Sequence, residues 1–363
     1  MLDLIVIGAG AAGYFGAIRA AERGKKVALI EATDKVLSKV LISGGGRCNV
    51  THSCFENKEL IKNYPRGGKE LLGAFSRFST ADTIKWFESR GVKLKTEADG
   101  RMFPNTDSSE TISATLQNTA NDLNIKLYKK TKITAIKHDS RGFSLETNNE
   151  LQLASHAILL ATGGSRNGHN LASSLGHSIT PLAPSLFTFK IADPLLEGLS
   201  GTSVPEASLK LSTSSKDSFS QKGPLLITHW GLSGPAVLKL SAWAARELSD
   251  CSYNAVLNVS WLGSIKQDQC KEILKKLRED GSKKIVFSSP PPEFSLTKRF
   301  WERFVDLSQI TDQVRYCELS NTSIQKIAEL LTKSTLRISG KGEFKEEFVT
   351  FGGVKLAEVV FRT

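Results

Sequence analysis

Residues 3–31 read DLIVIGAGAAGYFGAIRAAERGKKVALIE, and this stretch decides the fold. Leu4 to Ile7 are four apolar residues in a row, the pattern of a strand buried on both faces. Gly8, Gly10 and Gly13 follow at the spacing of a dinucleotide fingerprint, and Ala11 to Arg23 has the composition of a helix. Gly8 allows a tight turn, Gly10 lets the backbone approach a pyrophosphate, and Gly13 lets helix and strand pack closely. The helix N-terminus offers N–H groups and a partial positive charge to phosphate. Val27 to Ile30 read as a second strand ending in Glu31, whose carboxylate is placed to accept from a ribose hydroxyl. A purely structural glycine turn would leave both strands and the terminal acid as coincidence.

The rest of the chain bounds what surrounds this unit. With 363 residues it is long enough for two domains, and its 40% hydrophobic and 23% charged residues are ordinary for a globular protein. No apolar run approaches the ~20 residues that span a bilayer. The sequence opens directly on a strand, without a basic leader or cleavage site, and this predicts a cytoplasmic protein. Its five cysteines, Cys48, Cys54, Cys251, Cys270 and Cys317, are scattered and form no CxxC pair, which argues against a disulfide framework or a dithiol centre. The net charge of +11 is spread along the chain, and basic residues are interleaved with acids even between Lys266 and Arg303. That pattern reads as a mixed solvated surface and speaks against a nucleic-acid partner.

Along the chain, the stretch from Lys39 to Thr51 interrupts regular structure, because the adjacent glycines Gly44, Gly45 and Gly46 suit a loop that lies against something. One helix is expected over 68–90 and another over 111–124. A strand at 132–137 follows, then a hairpin about Asn148-Asn149 and a buried strand from His156 into Gly163-Gly164. From about residue 188 the texture changes to short strands separated by Gly, Pro and Ser. A helix capped by Ser233 comes next, and amphipathic helices over 267–279, 296–307 and 323–332 complete this part. The expected organisation is a dinucleotide domain over 1–187, an inserted domain over 188–345, and a return to the first domain over 346–363.

Several longer strings give a resemblance over nearly the whole chain. They are Lys39-Val-Leu-Ile-Ser-Gly-Gly-Gly-Arg-Cys-Asn-Val-Thr51, Gly100-Arg-Met-Phe-Pro104, Leu160-Ala-Thr-Gly-Gly164, Gly223-Pro-Leu-Leu-Ile-Thr-His-Trp-Gly-Leu-Ser-Gly-Pro235 and Thr350-Phe-Gly-Gly-Val354. In these, and in the fingerprint, the chain resembles the bacterial flavoproteins called HI0933-like, or BaiN/RdsA-type NAD(P)/FAD-dependent oxidoreductases. The resemblance implies an α/β fold: a Rossmann-like FAD-binding domain with an inserted β-barrel plus helical domain. It implies FAD as cofactor, NAD(P)H as transient co-substrate and a small organic molecule as acceptor.

Carried over onto this sequence, Gly8, Gly10, Ala11, Ala12 and Gly13 would hold the pyrophosphate and Glu31 the ribose. Lys39, Gly45, Gly46, Arg47, Cys48 and Asn49 would line the cofactor. Ile133 would meet the adenine through its backbone, and Thr162 and Gly163 would pass alongside the dinucleotide. Members of the family usually continue past the Gly-Gly-Val strand with a segment of the type Gly-Leu-Tyr-Phe-Ala-Gly-Glu. The sequence reaches Thr363 before one, so the expectation is a form without that flavin-binding segment.

Residues for the chemistry itself are few. Cys48 is a candidate redox thiol, with Cys54 a weaker partner, against the plainer reading of a small buried thiol. His229 is a candidate proton donor, against a role in holding the helix start near Ser233. Arg101 is either an anion-binding group or a surface arginine. The six histidines show no ligand spacing, and no metal site is expected. There is no second glycine fingerprint, so NAD(P)H would enter the same cleft as the acceptor, with ping-pong exchange. Two alternatives stand beside this reading: a flavin-fold protein that binds or modifies RNA, and a shortened, inactive flavoprotein.

Overall fold

The computed structural model describes residues 1–213, 218–342 and 349–361. The chain divides into two compact units, one formed by 1–182 and 350–363, the other by 183–349. Of the expected return segment, 346–348 and 362–363 lie outside the described residues.

The first unit begins with β1 (Leu2–Ile7), α1 (Ala11–Ala21) and β2 (Val27–Ile30). These are the strand, helix and strand anticipated from residues 3–31. After α2 (Ser38–Gly46) come β3 (Thr51–His52), α3 (Asn57–Leu60), α4 (Gly68–Arg77), α5 (Thr80–Glu88), β4 (Leu94–Thr96), β5 (Arg101–Pro104) and α6 (Ser109–Asp122). The unit continues through β6 (Lys126–Tyr128), β7 (Ile133–Asp139), β8 (Gly142–Thr147), β9 (Leu153–Leu160), α7 (Arg166–Ser174) and β10 (Ile179–Ser185). Six strands form one sheet in the order β6-β2-β1-β9-β8-β7. β1 pairs in parallel with both β2 and β9, whereas β7, β8 and the start of β9 form an antiparallel meander. Parallel strands need crossovers, and α1 supplies the one from β1 to β2. Ile5, Val6 and Leu29 are fully buried, as expected of central parallel strands covered on both faces.

Two local features differ from the sequence reading. The helix expected over 68–90 is two helices, split at Phe78 and Ser79. Ser79 accepts from the Asp82 amide while the Asp82 side chain accepts from the Ser79 amide, a reciprocal capping box that starts α5 afresh. Second, β3, β4 and β5 form a separate three-stranded sheet, and its centre, β5, buries Met102 and Phe103.

The second unit holds β11 (Phe189–Lys190), β12 (Ser203–Ser212), β13 (Ser218–Thr228), β14 (Gly231–Ser233), α8 (Pro235–Trp243), α9 (Ala245–Asp250) and β15 (Ala255–Ser260). It then runs through α10 (Gln267–Glu279), α11 (Lys298–Leu307), α12 (Asn321–Lys333), β16 (Ser334–Ile338) and β17 (Gly340–Lys341). Its seven strands are ordered β16-β15-β12-β13-β14-β11-β17, with antiparallel pairings throughout. Only Ser339 separates β16 from β17, the two edges of that order. The sheet therefore curls so that its edges meet through one continuous stretch of chain. The core is aromatic: Trp261, Phe300, Trp301 and Phe304 are essentially fully buried. Both indoles find acceptors, Trp261 Nε1 donating to Ser334 Oγ at 2.8 Å and Trp301 Nε1 to the Val286 carbonyl at 2.6 Å.

The expected Ser233 cap is corrected. Ser233 closes β14, and Gly234, at φ 95°, leads into α8 with Pro235 in the first turn. A Cβ at Gly234 would stand 2.9 Å from the Leu226 amide nitrogen, so the entry needs glycine for both space and backbone angle. The last strand, β18 (Val349–Val354), lies beside β10. Beyond it, the Glu358 carboxylate accepts from the Ser178 amide and lies 3.0 Å from His177 Nδ1. These contacts tie residues 350–361 to the first unit.

Candidate functional site: a dinucleotide cavity

At the end of β1 the chain turns through Gly8, at φ 104°, whose amide donates to the Ile30 carbonyl at 2.8 Å. A Cβ here would lie 2.5 Å from the Ala161 carbonyl oxygen, which fixes glycine where β1 and β9 run into their loops. Gly13 is equally constrained: a Cβ would fall 1.8 Å from the Gly8 carbonyl oxygen. Gly10 is the opposite case, since a Cβ there meets nothing within 4 Å. It precedes α1 without a side-chain cap, and no acid stands in the first turn. The first helical bond runs from the Tyr14 amide to the Gly10 carbonyl at 3.0 Å, leaving the Ala11 and Ala12 amides ahead of it. Open space, leading amides and the positive end of the helix coincide at one point. An anionic group fits there.

Glu31 stands at the end of β2 in the same place. Its Oε2 accepts from the Ala9 amide at 3.0 Å, and its Oε1 accepts from the Thr33 amide and Thr33 Oγ1, each at 2.9 Å. The carboxylate is thus oriented by the fingerprint turn itself. Tyr14 is buried close by, and burial first, then the Glu31 charge, raises its phenol above the usual range. Leu37, at φ 54°, donates its amide to the Ala9 carbonyl at 2.9 Å and starts α2, so α2 too is hung from the turn.

These elements line an open cavity of about 1070 Å³, at the upper end of small-molecule sites. Of the residues expected to hold the cofactor, Gly8, Gly10, Ala11, Ala12, Glu31, Lys39, Cys48, Asn49, Thr162 and Gly163 line it. Gly13 stands behind the wall as the packing contact described above. Gly45, Gly46, Arg47 and Ile133 are not among the lining residues. Arg47 pairs with Glu97 Oε1 at 2.5 Å and lies over the Phe103 ring, and this engagement accounts for its absence from the wall. The Ile133 side chain is buried, and its carbonyl accepts from Asn167 Nδ2 at 3.1 Å. His229 sits in the turn between β13 and β14 of the second unit, and Arg101 pairs with Asp99 and Glu97.

Cys48 is buried, and burial pushes its thiol above the ordinary range against the opposing effect of a hydrogen bond with Ser43. A thiol so disposed is protonated at neutral pH, which favours the plainer reading of a small wall residue. The sequence reading missed the far wall of the cavity, where Phe15, Phe78, Trp86, Phe87, Ile112 and Leu116 contribute. Phe15 meets Phe78 and Trp86 at ring-centroid distances of 5.0 and 5.3 Å. In sequence these residues are indistinguishable from the buried faces of amphipathic helices.

The pattern of the HI0933-like protein Rossmann domain matches residues 2–363. The chain belongs to the HI0933-like family. Among its curated relatives, the ribosomal RNA dihydrouridine synthase of Escherichia coli K12 is 29% identical over 99% of this chain and 87% of its own length. The enzyme of that name from Haemophilus influenzae is 26% identical, again over 99% of this chain and 87% of its own length. A 3-dehydro-bile acid Δ(4,6)-reductase of Clostridium scindens is 24% identical over 98% of this chain and 87% of its own. This HI0933-like chain therefore has a mixed α/β, Rossmann-like FAD-binding fold with an inserted antiparallel-sheet unit, and it belongs to a family of flavin-dependent oxidoreductases. Among the described residues no helix is long and apolar enough to cross a membrane.

Proposed function

We propose that the cavity of the first unit holds FAD, and that the protein is a cytoplasmic reductase passing a hydride from NAD(P)H to a double bond of an organic acceptor. One observation carries the reading: the uncapped start of α1, the open approach at Gly10 and the oriented Glu31 carboxylate all face one cavity. FAD, when bound, supplies the hydride chemistry. The Ala11 and Ala12 amides donate to its phosphates, Glu31 accepts from a ribose hydroxyl, and Lys39 adds positive charge from α2. Thr162 and Gly163 bring the backbone after β9 against the same dinucleotide. Cys48 and Asn49 form part of the wall, and no acid or base of the chain is assigned to the chemical step.

NADPH oxidation in an anaerobic mixture of protein, FAD and candidate acceptor tests this directly. Turnover with an unsaturated acceptor is expected in a ping-pong rate pattern, because only one cavity is proposed for both reactants. A sequential pattern would refute the shared cleft, and a protein that takes up no FAD would refute the reading.

A second reading concerns the acceptor. Two relatives carry the name of an rRNA dihydrouridine synthase. This favours a pyrimidine within RNA over a neutral small molecule, against the expectation drawn from the dispersed charge. Retention of RNA that falls steeply with salt, together with dihydrouridine formed in rRNA by the FAD-loaded protein, would support it. Equal retention at low and high salt would count against it.

A further inference from the structure

We infer that Arg47, Glu97 and Phe103 form a clamp that sets the position of the glycine loop on the cavity wall, and that Arg47 acts as a positioning residue which does not itself touch cofactor phosphate. This rests on the proposal that the cavity binds FAD. Through Ser43 to Cys48 the backbone passes repeatedly through the left-handed region. Ser43 leaves the helical region at ψ 150°, Gly44, Gly45 and Gly46 have φ of 57°, 70° and 84°, and Cys48 has φ 60°. Glycine takes such angles readily, but a left-handed cysteine persists only where its surroundings hold it. Some hold comes from the backbone, the Cys48 amide donating to the Ser43 carbonyl at 3.0 Å and the Val50 amide to the Met102 carbonyl at 2.9 Å.

The rest comes from β5 and the segment before it. Phe103 is fully buried, and the loop touches its ring twice. At Gly44 a Cβ would stand 2.9 Å from Phe103 Cε1, so only glycine fits, and the Arg47 guanidinium carbon lies 4.0 Å from the ring centroid. Glu97 closes the grip by accepting from Arg47 Nη1 at 2.5 Å and from Arg101 Nη2 at 3.3 Å. Asp107 stands 3.6 Å from Arg47 and is itself paired with Lys95. The guanidinium is thereby held above even its ordinary range, first by the Glu97 hydrogen bond. Ser43 at the start of this loop and Cys48, Asn49 and Val50 after Arg47 line the cavity wall. A clamp at Arg47 fixes where they stand.

The test uses the full chain with FAD as the probe, comparing Arg47→Met, Arg47→Lys, Glu97→Ala and the double variant Arg47→Met/Glu97→Ala. Arg47→Met and Glu97→Ala should each weaken FAD about tenfold, the scale of one lost charge-assisted bond. The double variant should bind no more weakly than Arg47→Met, since both changes remove one contact. Arg47→Lys should recover part of the affinity and restore the wild-type absorption contour of the bound flavin, which mere loss of fold stability would not alter. Amide exchange across 43–49 should be faster in both single variants, with or without FAD.

Glu97→Ala binding FAD as wild type does, while Arg47→Met loses affinity, would mean that Arg47 acts on the cofactor and would overturn the clamp. Unchanged exchange across 43–49 in Arg47→Met would overturn it as well. If wild type takes up no FAD, the cofactor reading fails by itself, and the exchange comparison still decides the clamp.

Discussion

Substituting the second and third glycines of the fingerprint should separate binding from stability. In Gly13→Ala the new Cβ sits 1.8 Å from the Gly8 carbonyl oxygen, and an ordinary contact starts at 3.4 Å. The turn and α1 must therefore part by about 1.6 Å at a point where Gly8 is also hydrogen-bonded to Ile30 and has no room for movement of side-chain size toward Ala161. Overpacking of this kind costs about 1–3 kcal/mol, offset by less than about 1 kcal/mol from the helix preference of alanine. In Gly10→Ala the Cβ meets nothing within 4 Å and φ is −87°, so the folded chain accommodates it. Its cost is the poorer cap, about 1 kcal/mol or less. The same Cβ occupies the approach of a phosphate to the Ala11 and Ala12 amides, and losing one or two such bonds removes about 3 kcal/mol, roughly a hundredfold in affinity. Urea midpoints of the cofactor-free proteins and FAD titrations by fluorescence quenching measure both quantities. Gly13→Ala should lose stability and binding together, and Gly10→Ala binding almost alone. If Gly10→Ala bound FAD like wild type, no phosphate would lie against Gly10 and the argument would fail.

Other outcomes follow from the same contacts. Glu31→Ala removes the acceptor for Ala9 and Thr33 as well as for a ribose, so FAD affinity should fall by ~1–3 kcal/mol and the cofactor-free midpoint should fall too; an unchanged midpoint would mean that the carboxylate does not brace the turn. Cys48, its thiol raised by burial, should resist iodoacetamide at neutral pH while exposed Cys317 is labelled, as peptide mass spectrometry would show; preferential labelling of Cys48 would contradict this. Glu358 is held below the usual carboxylate range by its hydrogen bonds to Ser178 and then His177. A depressed carboxylate contributes stability at pH above its unfolded value and loses it as pH falls through the folded one. Amide protection over 350–361 should therefore fall only at acid pH in wild type and be low throughout in Glu358→Gln; identical pH profiles would refute the tie.

Much of the first unit was legible because parallel, doubly buried strands and glycine spacing leave strong local marks. β1, α1 and β2 follow from residues 3–31 alone, as does Gly13 as a packing glycine. The break between α4 and α5 was harder to see, since Phe78 continues the apolar pattern and only Ser79 with Asp82 marks a new helix start. Ser233 misled for the converse reason: it is a good capping residue, but strand pairing claimed it and left the cap to Gly234. At the site, the glycine spacing and the terminal acid pointed to Gly10 and Glu31, and the family resemblance pointed to Lys39; all three line the cavity. The resemblance put Arg47 beside the cofactor with the rest of its loop; its partner Glu97, 50 residues away, is not visible in sequence. The aromatic wall was read as helix faces, since burial against a core and burial against a cavity produce one pattern.

The claim on which the rest depends is that this cavity binds FAD. The purified protein should show visible flavin bands, or acquire them on adding FAD, with one FAD per chain and with bleaching by NADPH. Protein that stays colourless and takes up no FAD at micromolar concentration, while folded by circular dichroism, would contradict the account.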